Sequence, residues 1–143
     1  MFNKVRVWAI TLVLVAPAAA RQPVNPGSCL DLAGADSWVT VSGVLTSRSF
    51  AGPPNYESIA KGDREERALI LKLPVPSCAT DREFIEAGTT FDQVHLSASE
   101  AAILNALNLA VGRSVTVRGR AFGAHTGHHR APLVLIVEEV RVQ

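Results

Sequence analysis

The chain has few of the residues that most readily name a function. It holds one tyrosine, one methionine and two cysteines in 143 residues, and aromatic side chains make up 6% of it. So few aromatics leave little from which to build the stacking platform that single-stranded nucleic acid requires. The 14 basic residues nearly balance the 13 acidic ones, so the charge excess that drives nonspecific phosphate binding is missing. Cys29 and Cys78 are too far apart for a close-spaced redox motif. There is no internal repeat, no low-complexity stretch and no Gly-x-Ser-x-Gly nucleophile elbow.

The long apolar run that does occur is at the start. Lys4 and Arg6 precede the apolar stretch Val7 to Val15, and Ala18-Ala19-Ala20 follows with small residues suited to cleavage. This is the pattern of an export signal, residues 1–20, with the mature chain expected to begin at Arg21 and to be periplasmic or secreted. The stretch is too short to cross a bilayer comfortably and no second candidate follows, so no membrane span is expected after cleavage. Losing Lys4 and Arg6, with no acid, leaves a slight acidic excess, which further argues against a nucleic-acid partner. The mature length suits one domain around one core. Residues 21–37, rich in Pro and Gly at their start, read as a lead-in to a domain over 38–143. In an oxidising compartment the two cysteines have one possible intramolecular partner each, so a Cys29–Cys78 disulfide is expected. Closing a loop of this size is worth up to ~4 kcal/mol in the chain-entropy model.

Alternating apolar residues mark the strands. Val39, Val41 and Leu45 share one face of Trp38 to Thr46, with Gly43 interrupting it. Leu69, Leu71 and Leu73 define a second strand, Arg67 to Leu73, and Val94 and Leu96 a third, Phe91 to Leu96, with Gln93 and His95 outward. Ser97-Ala98-Ser99-Glu100 has capping-box spacing. Ala101, Leu104, Leu107 and Val111 then predict an inward helix face ending at Gly112. Val115, Val117 and Ala121 give a fourth strand, with Gly119 on its inward face, and Leu133 to Val142 a fifth. Three strands, a helix and two strands is the order of the OB-fold. The expected class is therefore mainly β, a five-stranded OB-like Greek-key barrel with one helix between strands 3 and 4. A five-stranded sheet with one covering helix is the alternative.

That fold would bring together the two most unusual stretches, because the loops after strand one and between strands four and five flank the usual OB binding face. The first, residues 50–63, holds Pro53-Pro54-Asn55-Tyr56-Glu57-Ser58 and Asp63. The prolines stiffen the backbone, Asn55 and Glu57 offer hydrogen bonds, and Tyr56 offers an aromatic face with a hydroxyl. The second, residues 123–131, holds His125-Thr126-Gly127-His128-His129, three of the four histidines of the chain. Histidine binds metals, moves protons and senses pH near neutrality.

Pro54, Asn55, Tyr56, Glu57, Asp63, His125, Thr126, His128 and His129 are accordingly the candidate partner-binding residues. A zinc site is a second reading, through His125, His128 and His129 with Glu57 or Asp63 completing the set. A structural role for the histidines around Gly127 is a third. An envelope hydrolase, with Ser58 and Glu57 facing a histidine or with Glu57 paired to Asp63 or Glu65, is a fourth. No residue is assigned as catalytic, and no cofactor is assigned apart from that possible zinc. His95 reads as a strand-face residue. Arg118 and Arg120, with Arg48 and Arg113 as possible neighbours, and the run Asp63-Arg64-Glu65-Glu66-Arg67 read as solvated charge.

Gly52-Pro53-Pro54-Asn55-Tyr56-Glu57-Ser58-Ile59, then Gly62-Asp63, and later Phe122-Gly123-Ala124-His125-Thr126-Gly127-His128-His129, resemble an uncharacterised bacterial family, domain of unknown function 4431. The resemblance runs from about Cys29 onward and implies a small exported protein with two signature loops, but no reaction. Members often carry a third histidine after the pair, where this chain has Arg130. Residues and resemblance together point to an exported binding or interaction domain whose partner is an envelope protein or a cell-wall-derived ligand.

Overall fold

In the computed structural model, which describes residues 29–34 and 37–143, strand alternation closes into a barrel. The elements are β1 (Leu30–Asp31), β2 (Trp38–Ala51), β3 (Glu65–Thr80), β4 (Thr90–Ser97), α1 (Ala101–Leu109), β5 (Ser114–Gly123) and β6 (Leu133–Val142). The signal segment and residues 21–28 of the lead-in lie outside the described residues.

The ring closes because β2 is long enough to serve two neighbours. Its first half, Trp38 to Val44, pairs with β5, and its second half, Val44 to Ala51, pairs with β3. β3 pairs with β4, β4 runs parallel to β6, and β6 pairs back onto β5. The five long strands therefore close in the order β2-β3-β4-β6-β5, and in sequence the helix lies between β4 and β5. This is the expected OB topology. Gly43 and Gly119, expected on the inward face, sit where neighbouring backbone comes closest. A Cβ on Gly43 would lie 2.2 Å from the Lys72 carbonyl oxygen, and one on Gly119 1.9 Å from that of Ile136.

The interior holds Leu45, Leu71, Val94, Leu107, Val115, Val117, Leu133 and Leu135, none exposed. The inward residues expected of each strand are there. The helix is corrected in two respects. Ser97 ends β4 rather than opening the helix; the N-cap is Glu100, and no side chain caps the helix start. The inward stripe is Ile103, Leu107 and Ala110, whereas Leu104 and Val111 are exposed. Both stripes obey helical spacing in a helix apolar on most sides, so periodicity alone could not choose between them.

Strand ends also run further than the alternation indicated. Phe50 and Ala51 are the last rungs of the β2–β3 ladder, opposite Glu66 and Glu65, so the first loop begins at Gly52. In the lead-in, Leu30–Asp31 pairs in parallel with Ala79–Thr80. The Cys29–Cys78 disulfide beside it joins two Cα atoms 4.6 Å apart.

A second apolar layer covers the outside of the barrel below the histidine loop. Thr46, Ile70, His95, Val134 and Phe122 stand in one cross-strand row on β2, β3, β4, β6 and β5. Ile70 is 1% exposed and Val134 2% exposed, although both point away from the interior.

Candidate functional site

The first loop is built around one carboxylate. Asp63 is buried, and its Oδ1 accepts from the backbone N–H of Asn55 at 3.0 Å and from that residue's side-chain amide at 3.1 Å. Its Oδ2 accepts from the N–H groups of Glu57 and Ser58, each at 2.8 Å. The Ser58 and Asn55 N–H groups are the main reason its pKa lies below the ordinary aspartate value. Asp63, expected on the recognition surface, thus spends both oxygens within its own loop.

The consequence falls on Tyr56, held at φ +61° after the cis Pro53–Pro54 bond. A left-handed backbone at a tyrosine costs roughly 1–3 kcal/mol, sustained only by surrounding structure. Here the Tyr56 N–H donates to the Gly52 carbonyl at 2.9 Å, and both flanking N–H groups bond Asp63.

So placed, Tyr56 reaches the second loop. Its hydroxyl lies 2.9 Å from His128 Nε2, with the rings edge to face at 5.3 Å. His128 Nδ1 lies 3.1 Å from Glu66 Oε2, which also accepts from Arg130 Nη2 at 2.7 Å. Burial alone would raise the Glu66 pKa, but the bonds from Arg130 and His128 more than offset it and the net shift is downward. An ionised carboxylate only accepts, so in the neutral ring the His128 proton sits on Nδ1, Nε2 is the acceptor and the Tyr56 hydroxyl donates. At Gly127 the loops leave little room for a side chain, since a Cβ there would lie 3.2 Å from the Tyr56 ring. Arg130, its side chain 9% exposed, lies between the Phe50 and Tyr56 rings, 5.2 and 5.6 Å from their centroids.

His125 and His129 do other work. His129 Nδ1 accepts from the N–H groups of His125 and Thr126, at 3.0 and 3.3 Å, and closes the turn around Gly127. His125 bonds the Gly123 carbonyl through Nδ1 at 2.9 Å and stacks on Phe84 at 4.8 Å. Phe122 packs against both histidines, and His95 lies edge to face with His129 at 6.5 Å. His95 Nδ1 also accepts from the Arg130 N–H at 3.3 Å, which ties the loop down across β4. Burial first, then neighbouring positive charge, lowers the pKa of both His95 and His129, so both are neutral near pH 7.

The three loop histidines therefore do not converge. His128 faces Tyr56 and Glu66, while His125 and His129 face Phe84, Phe122 and each other. Among the described residues no group of three or more His, Cys, Asp or Glu side chains is placed to hold a metal ion. Glu57 is exposed, and its N–H and that of Ser58 bond Asp63, as above. Among the described residues no histidine bonds the Ser58 hydroxyl, whereas one bonds the hydroxyl of Tyr56. Pro54, Asn55 and Thr126 are exposed on the joined loops. The arginines of β5 are ion-paired across to β6: Arg118 with Glu139 at 2.7 Å and Arg120 with Glu138 at 3.8 Å.

Sequence reasoning missed Glu66, Arg130, Phe84 and Asp81. Asp81 is a second loop hub, accepting from the N–H groups of Glu83, Phe84 and Ile85 through Oδ1 and from that of Gly123 through Oδ2. Glu66 was legible in part, because it continues the outward alternation of Ala68 and Ile70. Reading the strand from Arg67 onward hid it.

No curated protein matches the chain. Among solved structures it is similar to a small single-stranded DNA-binding protein from Streptomyces coelicolor, at 21% identity over 74% of this chain and 93% of that one, with a TM-score of 0.36. The fold assignment above rests on the strand order instead. Residues 93–141, from β4 through the histidine loop into β6, match the model of the family described as Domain of unknown function (DUF4431), which bears out the resemblance carried by the histidine loop; the first loop lies outside the matched segment.

Proposed function

We propose that the protein is an exported envelope binding module whose recognition face is the pair of loops 52–64 and 124–132. One observation carries the reading. The Tyr56 hydroxyl, the His128 ring, Glu66 and Arg130 link the loops by hydrogen bonds of 2.7 to 3.1 Å, so two long connections behave as one surface. A face ordered before binding loses less entropy when a partner docks. Exposed Asn55, Glu57, Thr126 and His128 offer that partner polar contacts on a fixed frame. The partner is an envelope protein or a cell-wall-derived ligand. A nucleic acid fits poorly, since the β5 arginines are already paired with Glu138 and Glu139. Among the described residues no helix is long and apolar enough to cross a membrane.

Capture from an envelope extract tests the reading. The mature chain is the bait and a Tyr56→Ala/His128→Ala double variant the control. Retention of the same partner by wild type and not by the variant, with both folded by circular dichroism, is the expected result. Equal retention by both would remove the joined loops from recognition. Export is tested separately by finding a shortened chain, beginning near Arg21, in the periplasmic or culture fraction.

A further inference from the structure

Tyr56, His128 and Glu66 stand in the relation of a nucleophile, a base and the group that orients the base. The hydroxyl is 2.9 Å from Nε2, and Nδ1 is 3.1 Å from the carboxylate. Arg130, bonded to the same Glu66 oxygen at 2.7 Å, keeps that carboxylate ionised and fixed from behind. The tautomer follows from the chemistry of the partners, with Nε2 unprotonated and turned toward the phenol. Access is open, because Tyr56 is half-buried and the His128 side chain is 58% exposed. Neighbouring histidines do not share this arrangement, since the Nδ1 atoms of His125 and His129 are taken up by backbone groups of their own loop.

We propose that Tyr56 is a base-assisted nucleophile that accepts acyl groups from activated esters and acylimidazoles. The phenol oxygen attacks the acyl carbon while its proton passes to His128 Nε2. The bond from that carbon to the leaving group breaks, and the leaving group departs with the proton now on His128. The products are an acyl ester on Tyr56 and the protonated leaving group. Glu66 touches neither reacting atom and is a positioning residue, holding the ring so that Nε2 faces the hydroxyl. The inference goes beyond the binding role proposed above and concerns the same residues, but its test reads a chemical rate and needs no partner.

The chain has one tyrosine, so acylation of tyrosine oxygen reports on one site. The mature protein is treated with N-acetylimidazole near pH 7.5, and the acetyl group on Tyr56 is followed by peptide mass spectrometry. N-acetyltyrosinamide in the same tube is the reference. Base assistance at an exposed site is expected to make Tyr56 react roughly tenfold to a hundredfold faster than the reference. His128→Ala should abolish the enhancement. Glu66→Gln, which keeps the side chain's shape, should reduce it and alter the pH dependence of the rate. A rate no greater than that of the reference overturns the proposal, as does an undiminished rate in a folded His128→Ala protein. If His128→Ala fails to fold, His128→Gln serves in its place under the same criterion. Partner capture that fails while the rate enhancement stands would remove the binding role and leave this one.

Discussion

The histidine loop has two flanks built on the same plan and put to different use. On each side a single aspartate gathers backbone N–H groups and shapes the neighbouring loop, Asp63 for residues 55–58 and Asp81 for residues 83–85. Each shaped loop then offers one aromatic ring to one histidine. Toward Asp63 the ring is Tyr56, which meets His128 by a hydroxyl; toward Asp81 it is Phe84, which meets His125 by stacking. On the phenylalanine flank the histidines bond backbone through Nδ1, with Phe84 and His125 stacked at the surface. The tyrosine flank keeps an exposed imidazole and a hydroxyl at the surface. One hydroxyl group, together with the carboxylate behind the ring, separates a flank joined by stacking from one joined by hydrogen bonds.

Removing the hubs should break the two flanks independently, with the largest effects. Asp63→Ala is expected to speed amide hydrogen exchange at Asn55, Glu57 and Ser58, and Asp81→Ala at Glu83, Phe84, Ile85 and Gly123. Each should lower Tm more than any single histidine substitution, because several donors lose their acceptor at once. Exchange that rises on both flanks in either variant would mean the loop moves as one unit.

The adjacent histidines sharpen the contrast. His129→Ala removes the shared acceptor of two backbone N–H groups and should cost about 0.5–1.5 kcal/mol in a urea titration. Gly127→Ala places a methyl group against the Tyr56 ring and should cost about 1 kcal/mol, while weakening partner capture. His128→Ala should stay within about 0.5 kcal/mol of wild type, as expected of an exposed surface position, while partner capture is lost. A His128→Ala protein as destabilised as His129→Ala would erase the distinction between the flanks.

Acid should separate the flanks more gently. His95 and His129 have folded pKa values below the ordinary histidine value, so the unfolded chain takes up their protons first. Their contribution is complete above about pH 6.5 and is lost as pH falls below it. Asp63, Asp81 and Glu66 are also lowered, and their contribution persists until pH falls below about 4. Stability measured from pH 8 to 3 should therefore decline in two stages. Exchange at the amides of His125 and Thr126 should rise in the first stage and at those of residues 55–58 in the second.

Much of the barrel was legible because burial on one side of a strand writes a period of two into the sequence. In β3 the leucines Leu69, Leu71 and Leu73 marked the inward face by their period, although Ala68 and Ile70 on the other face are buried as well. The helix was less legible, since Ile103 and Leu104 are equally apolar and neighbouring strands decide which one turns inward. Of the site, Tyr56 and His128 stood out by rarity and clustering. Glu66 and Arg130 did not, because a charged residue in a polar run looks the same whether it meets solvent or a partner far along the chain.

By itself the sequence determined the strand periods, the stiff Pro-Pro turn, the single possible disulfide pairing and the two loops worth attention, all of which follow from local chemistry and composition. Only the tertiary structure decided which histidine nitrogen is bound by backbone and which faces a hydroxyl. That depends on ladder register, which sets Phe50 against Glu66 and His95 against Val134, and so on contacts between residues tens of positions apart.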